Sequence, residues 1–261
     1  MPNGEPTRNE ATVTLVVPCY NEARRLDLEA FTGYASANPD VAFLFVDDGS
    51  TDGTSSIIAR LLDRNPAQFQ LKRLPTNGGK AAAVRAGILD ALEQSTGVVG
   101  YWDADLAAPL EELDGMRQIL AERPGVHIVT GARVNLLGRS VRRNLIRHWI
   151  GRVFATVATA VLRLPMYDTQ CGAKILRVQS WTGDVFAQPF QTSWVFDVEL
   201  LARVVTEPIV SIAGDPRSII CEYPLSAWFD TQGSKLRVRN AFGAVFDLGK
   251  IYWRYLRPRR T

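Results

Sequence analysis

Cysteine is scarce in this 261-residue chain, and long apolar runs are absent. Cys19, Cys171 and Cys221 form no CxxC pair, which excludes a disulfide framework and a cysteine-based zinc site. The longest stretch without Asp, Glu, Lys or Arg is 12 residues, Val185–Phe196, whereas a membrane-spanning helix needs about 20 apolar residues. The polar segment Met1–Glu10 lacks the basic-then-apolar order of a signal peptide. These absences predict a reducing, cytoplasmic location without a spanning helix.

Charge is distributed unevenly along a chain of otherwise ordinary globular composition, with 46% hydrophobic and 22% charged residues. Residues 1–132 carry 11 basic and 18 acidic side chains, whereas residues 133–261 carry 19 basic and 9 acidic ones. A basic surface attracts phosphates, of lipid headgroups or of nucleic acid. No recognisable nucleic-acid-binding motif accompanies the basic half, so nucleic acid is not predicted as a partner.

The first 132 residues alternate short β-branched runs with helical patterns. Such alternation predicts parallel strands joined by right-handed crossovers. Ligands of parallel sheets bind at the carboxyl ends of the strands. Strands are predicted at 11–17, 41–46, 69–74, 97–102 and 126–130, and helices at 22–37, 51–64, 80–94 and 110–122.

Acidic residues follow three of these predicted strands. They lie in the segments 18–22, 47–53 and 103–105. Carboxylates that converge at strand ends repel one another, so a cation or a hydrogen-bonding ligand is expected to compensate them. Asp103 and Asp105 can approach one divalent cation that bridges a diphosphate. For Asp52, capping of the following helix is the favoured interpretation.

Two segments of the second half have apolar residues at helical spacing. The first, 145–162, carries Arg147 and Arg152 and follows Arg143, and the second, 241–256, is aromatic and is followed by Arg257, Arg259 and Arg260. Such a stripe is typical of core packing. Aromatic residues beside arginines are also typical of a helix that lies in a membrane interface.

Several motifs occur in an order that resembles the A-type inverting glycosyltransferases of family two. PCYNE at 18–22, VDDGSTDGT at 46–54, NGGKAAAVRAG at 77–87, DADL at 103–106 and GAR at 131–133 carry this resemblance. DTQCGAK at 168–174, WVFDVELL at 194–201 and QGSKLRV at 232–238 resemble the dolichyl-phosphate glucosyltransferase branch. The resemblance covers roughly residues 12–256, nearly the whole chain.

The resemblance implies a fold and a domain organisation. The fold is an α/β single A-type domain, with a mainly parallel Rossmann-like sheet flanked by helices and amphipathic helices in the C-terminal half. Its predicted parts are a flexible N-terminus at 1–10, a nucleotide-sugar-binding half at 11–132, an acceptor-binding half of the same domain at 133–236 and a basic amphipathic C-terminal helix at 237–261.

The resemblance also implies roles for particular residues. The nucleotide sugar is expected at Pro18, Tyr20, Glu22, Asp48, Lys80, Asp103, Ala104 and Asp105. Asp103 and Asp105 are the expected ligands of Mg²⁺ or Mn²⁺, and Asp105 and Asp197 are the expected catalytic residues. The acceptor phosphate is expected at Arg133, Arg143, Arg147 and Lys235. An aspartate at position 48 can pair with uracil or guanine, so this contact leaves the base open.

The predicted reaction moves glucose from UDP-glucose to a polyprenyl phosphate, at a membrane surface with anionic lipids to which the protein binds peripherally. A phosphate monoester is largely dianionic at neutral pH, with a second pKa of about 6, so it needs no base. Asp197 is therefore expected to orient the sugar or the acceptor. Three alternatives remain: a GDP-mannose donor, a hydroxyl acceptor, and an inactive sugar-nucleotide sensor. The mannose donor is disfavoured because Ala107 and the Trp228-Phe229 pair depart from the pattern of the mannose synthases.

Overall fold

The computed structural model describes residues 13–94, 96–138, 140–142, 145–208, 215–229 and 239–257. The predicted flexible N-terminus, 1–10, lies outside these ranges. The strands within them are β1 Val13–Cys19, β2 Val41–Asp47, β3 Phe69–Arg73, β4 Val98–Trp102, β5 Ile128–Ala132, β6 Ser140–Arg142, β7 Ala173–Arg177, β8 Ile220–Pro224 and β9 Ala227–Phe229. The helices are α1 Leu28–Ala37, α2 Thr54–Arg64, α3 Lys80–Glu93, α4 Glu112–Glu122, α5 Leu145–Leu162, α6 Thr182–Ala187, α7 Phe196–Thr206 and α8 Arg239–Ile251, with a 3₁₀ turn at Pro216–Ser218 and a π-helical segment at Tyr252–Leu256.

One seven-stranded sheet joins both halves of the chain, in the order β3-β2-β1-β4-β7-β5-β8. Every neighbouring pair is parallel except the two that include β7, which runs antiparallel between β4 and β5. The predicted single α/β domain with a mainly parallel sheet is confirmed. The antiparallel strand was not predicted, because β7 has only five residues and carries Lys174 within its apolar run. β6 and β9 form a separate two-stranded sheet.

Helices cover both faces of the large sheet. Apolar side chains of α1, α2 and α4 pack on one face, and those of α3, α6 and α7 pack on the other. Helix α3 lies unusually close to the strands at Gly87, where a Cβ atom would stand 2.4 Å from the Val16 side chain and 2.8 Å from Val46. This close approach brings the first turn of α3 near the carboxyl ends of β1, β2 and β4.

Two predicted helices begin later than their sequence patterns suggest. α1 starts at Leu28 rather than at residue 22, with the Asp27 carboxylate accepting the Ala30 N–H at 3.0 Å as the N-cap. α2 starts at Thr54 rather than at residue 51, and Asp52 accepts the Thr54 N–H at 2.9 Å. Asp52 thus accepts the first N–H of the helix, although the N-cap position itself is occupied by Gly53. The residues before both helices form interlocked loops instead.

The two amphipathic helices predicted in the C-terminal half are confirmed. α5 spans Leu145–Leu162, and α8 continues directly into the π-helical segment Tyr252–Leu256. Both helices bury one side against α7, in a cluster that includes Ala158, Leu162 and Leu248. Within the described ranges, no helix combines the length and apolar content needed to cross a bilayer.

Candidate active site

Three acidic loops meet at one edge of the sheet, as predicted. In the sheet register, Cys19 of β1 pairs with Asp47 of β2, and Val16 of β1 pairs with Tyr101 of β4. The loops that follow β1, β2 and β4 therefore lie side by side, with the first turn of α3 beside them. This edge is the candidate active site.

Asp48 joins the second loop to the start of α3. One of its carboxylate oxygens accepts the Gly78 N–H at 2.8 Å and the other accepts the Gly79 N–H at 2.7 Å. The residue is buried, with 2% of its surface exposed. Burial raises the pKa of Asp48, and the two N–H groups partly offset that rise. Asp48 thus shapes the loop as well as lying where the nucleotide is expected.

The loop after β1 is locked to the loop after β2. Asn21 has a left-handed backbone, with φ 56°, and its side chain accepts the Thr51 N–H at 2.9 Å. Its own N–H donates to the Ser50 hydroxyl at 3.0 Å. The Glu22 N–H donates to the Thr54 hydroxyl at 2.8 Å, and its carboxylate pairs with Arg25. This interlocking explains why residues 22–27 are not helical.

The remaining residues predicted on the β1 loop lie at the same edge. Pro18 is the second-to-last residue of β1 and lies opposite Val46 of β2, and Tyr20 directly follows the strand. Both side chains are partly buried. Pro18, Tyr20 and Glu22 therefore lie at or just after the end of β1, beside the loop that carries Asp48.

Asp103 and Lys80 form an ion pair at the centre of this edge, with 2.5 Å between the Lys80 ammonium and Asp103 Oδ1. About a third of each side chain is exposed. Burial opposes the charge on Lys80, but the carboxylates of Asp103, Asp197 and Asp105 outweigh it and raise the pKa of the lysine. Lys80 therefore stays cationic beside the predicted diphosphate position, and the structure joins it to the acidic pair.

Gly172 lies directly against Asp103. Its carbonyl accepts the Asp103 N–H at 3.1 Å. A Cβ atom on Gly172 would lie 1.9 Å from Asp103 Oδ2 and 2.2 Å from Cγ, so only glycine leaves room for this carboxylate. The glycine of the DTQCGAK motif thus fixes where the first aspartate of the acidic pair points.

Asp103 and Asp105 are candidate ligands of a divalent cation. Asp105 accepts the Ala107 N–H at 3.2 Å, and the buried Ala104 separates it from Asp103. In the part of the chain that the structure describes, no group of three or more His, Cys, Asp or Glu side chains could hold a metal by itself. Two partly exposed carboxylates, of which Asp103 is paired with the Lys80 ammonium, keep a net negative charge and fit a cation whose other ligands come from a diphosphate and water.

Asp197 lies on the first turn of α7, near enough to the Lys80 ammonium for its charge to raise the pKa of that lysine. It is buried, with 4% of its surface exposed, and its Oδ1 accepts the Lys174 ammonium at 2.6 Å and the Tyr101 hydroxyl. Burial and the charge of Asp197 raise the pKa of Tyr101 well above its usual range, so the hydroxyl remains a donor. The network holds Asp197 in one orientation.

Arg133, at the end of β5, is engaged by a carboxylate. Its Nε and Nη2 donate to Asp168 at 2.6 and 2.9 Å, and Nη2 also reaches the Gln170 carbonyl at 3.2 Å. Burial opposes the charge, but Asp168 raises the pKa of Arg133 further above its usual range. The structure therefore places Arg133 in a bidentate ion pair that sequence reasoning did not foresee. Lys235, Arg143 and the side chain of Arg147 lie outside the described part of the chain.

Three contributors to the site were missed from the sequence. Tyr101 and Lys174 are completely buried partners of Asp197, and Gly172 backs Asp103. Lys174 left a signal, because a lysine within the apolar run Ala173–Leu176 needs a buried acceptor. Gly172 lies in the DTQCGAK motif, although the motif alone does not show that it contacts Asp103, and nothing in the local pattern distinguishes Tyr101 from an ordinary strand residue.

The mainly parallel sheet, with two interlocked loops and an acidic pair at its carboxyl edge, has the architecture of an A-type glycosyltransferase. Comparison with known families agrees. The chain belongs to glycosyltransferase family 2, since the family model described as Glycosyl transferase family 2 matches residues 14–181. The resemblance inferred from the sequence motifs is confirmed.

Similar proteins were found among curated sequences and solved structures. A dolichyl-phosphate beta-glucosyltransferase, ALG5C, of Trichomonas vaginalis is 30% identical over 93% of this chain and 71% of its own length. A polyprenol monophosphomannose synthase of Mycolicibacterium smegmatis is 28% identical over 73% of this chain and 71% of its own. Glucosyl-3-phosphoglycerate synthase of Mycobacterium tuberculosis, solved with Mn²⁺, UDP and glucosyl-3-phosphoglycerate, shares the fold with a TM-score of 0.62 at 17% identity, covering 95% of this chain and 81% of that one.

Proposed function

We propose that this glycosyltransferase moves glucose from UDP-glucose to a polyprenyl phosphate of the dolichyl type, with inversion at the anomeric carbon. The observation that carries the proposal is the ion pair of Lys80 with Asp103, next to Asp105, at the carboxyl edge of β4. An ammonium beside two carboxylates that could hold a cation suits a reaction in which a diphosphate leaves. The name of the Trichomonas relative supports the sugar and the acceptor.

The nucleotide is proposed to bind across the interlocked loops after β1 and β2. Pro18, Tyr20, Glu22 and Asp48 would hold the uracil and the ribose, because they line adjacent strand ends and the Asn21 contacts keep the two loops together. A rigid loop pair reduces the ordering cost of binding. UDP in the fold neighbour from Mycobacterium tuberculosis supports this nucleotide.

Asp103 and Asp105 are proposed to hold Mg²⁺ or Mn²⁺. The cation, when bound, would neutralise charge on the diphosphate as it leaves. Lys80 is proposed to contact the same phosphates, and its ammonium, 2.5 Å from Asp103, supports this role. Mn²⁺ in the fold neighbour supports a metal of this kind.

The acceptor would attack from the opposite side of the sugar. An oxygen of the lipid phosphate forms the new bond to the anomeric carbon as the bond to UDP breaks, so one displacement inverts the configuration. A dianionic phosphate has no proton to lose. Asp197, held by Lys174 and Tyr101, would therefore orient the sugar or the acceptor rather than remove a proton.

The acceptor phosphate is proposed to bind the basic second half of the chain, at Arg133, Arg143, Arg147 and Lys235. Among the described contacts, the ion pair with Asp168 uses Nε and Nη2 of Arg133. The Nη1 hydrogens could then bind a phosphate oxygen. The Asp168 carboxylate keeps the guanidinium charged despite its burial, and the two hydrogen bonds fix its direction.

The C-terminal aromatic surface is proposed to bind the membrane peripherally. We define it as the exposed side chains of α8 and the π-helical segment: Val245, Phe246, Lys250, Tyr252, Trp253, Arg254 and Arg257. Lys250 lies 4.8 Å from the Phe246 ring and Arg257 lies 4.9 Å from the Trp253 ring, while Phe246 and Trp253 are 69% and 65% exposed. Exposed aromatics beside cations suit an anionic headgroup layer.

The proposal is tested by incubating purified protein and Mn²⁺ with radiolabelled UDP-glucose, UDP-galactose or GDP-mannose and a short polyprenyl phosphate. We expect a labelled lipid from UDP-glucose, with a β-anomeric signal by NMR, and none when a polyprenol replaces the phosphate. Label transferred only from GDP-mannose, or only to a hydroxyl acceptor, would show that the proposed donor or acceptor is wrong.

A further inference from the structure

We propose that Lys174 is a positioning residue of the active site, which holds Asp197 and the 167–172 loop in their working arrangement. The inference rests on the proposed function, in which Asp197 orients the sugar or the acceptor. Lys174 is completely buried and would not touch a substrate, so its effect would be exerted through Asp197.

The Lys174 ammonium is completely buried, and each of its three hydrogens has an acceptor. It donates to the Asp197 carboxylate at 2.6 Å, to the Cys171 carbonyl at 2.7 Å and to the Thr169 carbonyl at 3.2 Å. A lysine has three donors, so this group is fully satisfied. One side chain thus joins the first turn of α7 to the middle of the 167–172 loop.

The same loop is held at both ends, by Glu222 of β8 and by Asp103. The N–H groups of Tyr167 and Asp168 donate to the Glu222 carboxylate at 2.7 and 2.8 Å, and at the other end the Gly172 carbonyl accepts the Asp103 N–H at 3.1 Å. Lys174 therefore links the position of Asp197 to the loop that backs Asp103.

Stability alone does not account for this lysine. Replacing a buried ion pair by apolar side chains of similar size is often neutral or stabilising, whereas removing one partner leaves a buried charge and is costly. An apolar residue facing an apolar residue would keep the packing of β7 and α7. It would not hold a carboxylate beside the Lys80–Asp103 pair, which is the property that the proposed reaction uses.

The test compares K174M, D197N and the double variant K174M/D197N with the wild type. R203M is the matched control, because Arg203 also forms a buried ion pair on α7, with Glu199 at 2.8 Å. Its other described hydrogen bonds reach Tyr255 and the carbonyls of residues 185–189 rather than the 167–172 loop. For each protein, kcat and the KM for the donor are measured per folded enzyme, and the midpoint of thermal unfolding is recorded. The assay uses the donor and acceptor on which the wild type turns over fastest.

We expect K174M to lower kcat by about 10- to 100-fold, the loss of a charged hydrogen bond, with the donor KM changed less than about threefold. The double variant should have the kcat of D197N and should unfold at a higher temperature than K174M, since it buries no unpaired charge. R203M should lower the unfolding midpoint and leave kcat unchanged.

Wild-type kcat in K174M, or losses that multiply in the double variant, would overturn the inference. If K174M does not fold, the double variant is compared with D197N alone, and a further fall in kcat is the contradicting result. A wild type that prefers another donor or acceptor refutes the proposed function but leaves these comparisons measurable, so the two failures are distinguishable.

Discussion

Adding one methyl group at Gly172 perturbs the acidic pair without removing a charge. In G172A, the new Cβ would lie 1.9 Å from Asp103 Oδ2, where about 3.0 Å is the closest tolerated approach, so the carboxylate must move by about 1 Å. A misplacement of this size at a reacting centre can lower the rate by about 100-fold. We therefore expect kcat/KM for the nucleotide sugar to fall by about two orders of magnitude.

The assay is UDP release at saturating acceptor with Mn²⁺, together with calorimetric titration of UDP and Mn²⁺. G183A is the matched control, because a Cβ at Gly183 meets nothing within 4 Å in α6, and it should be as active as the wild type and more stable by about 0.5 to 1 kcal/mol. A G172A enzyme with wild-type kcat/KM and wild-type Mn²⁺ affinity would refute the assignment of Asp103 as the fixed carboxylate.

Three further predictions concern other parts of the site. D48N places an amide nitrogen against the Gly78 or Gly79 N–H, so UDP affinity measured by calorimetry should fall about tenfold; unchanged affinity would contradict the role of Asp48. K80Q should strengthen Mn²⁺ binding without nucleotide, followed by electron paramagnetic resonance, because the ammonium no longer competes for Asp103, and weaker binding would count against the shared carboxylate. F246S/W253S should reduce sedimentation with anionic liposomes at low salt by at least about tenfold, and wild-type sedimentation would exclude this surface as the membrane contact.

The positions of the acidic loops could be predicted from the sequence because they follow from a general property of parallel sheets. Once the strands before Pro18, Asp47 and Asp103 are recognised, their carboxyl ends must share an edge. The helices α5 and α8 were equally predictable, because their apolar spacing is long and uninterrupted. The start of α1 was not, because the 22–27 segment is held by contacts with the distant loop at 50–54.

The partners of the charged residues could not be predicted, since they come from elements far apart in the chain. Asp103 meets Lys80, Asp197 meets Lys174, and Arg133 meets Asp168. Each pairing depends on strand order, above all on the insertion of the antiparallel β7 between β4 and β5. Sequence reasoning identified both Asp103 and Lys80 as site residues, but only Asp197 and Arg133 from the other two pairs, and the structure shows that a neighbouring side chain also holds each of them.

The central claim is that Asp103 and Asp105 hold a nucleotide sugar's diphosphate through a divalent cation. A crystal structure of the protein with UDP-glucose and Mn²⁺ tests it most directly. The account predicts anomalous density for Mn²⁺ between these carboxylates and the diphosphate, with the uracil beside Asp48 and the glucose directed towards Asp197. A nucleotide bound elsewhere, or a diphosphate held by Lys80 with no metal at the acidic pair, would contradict it.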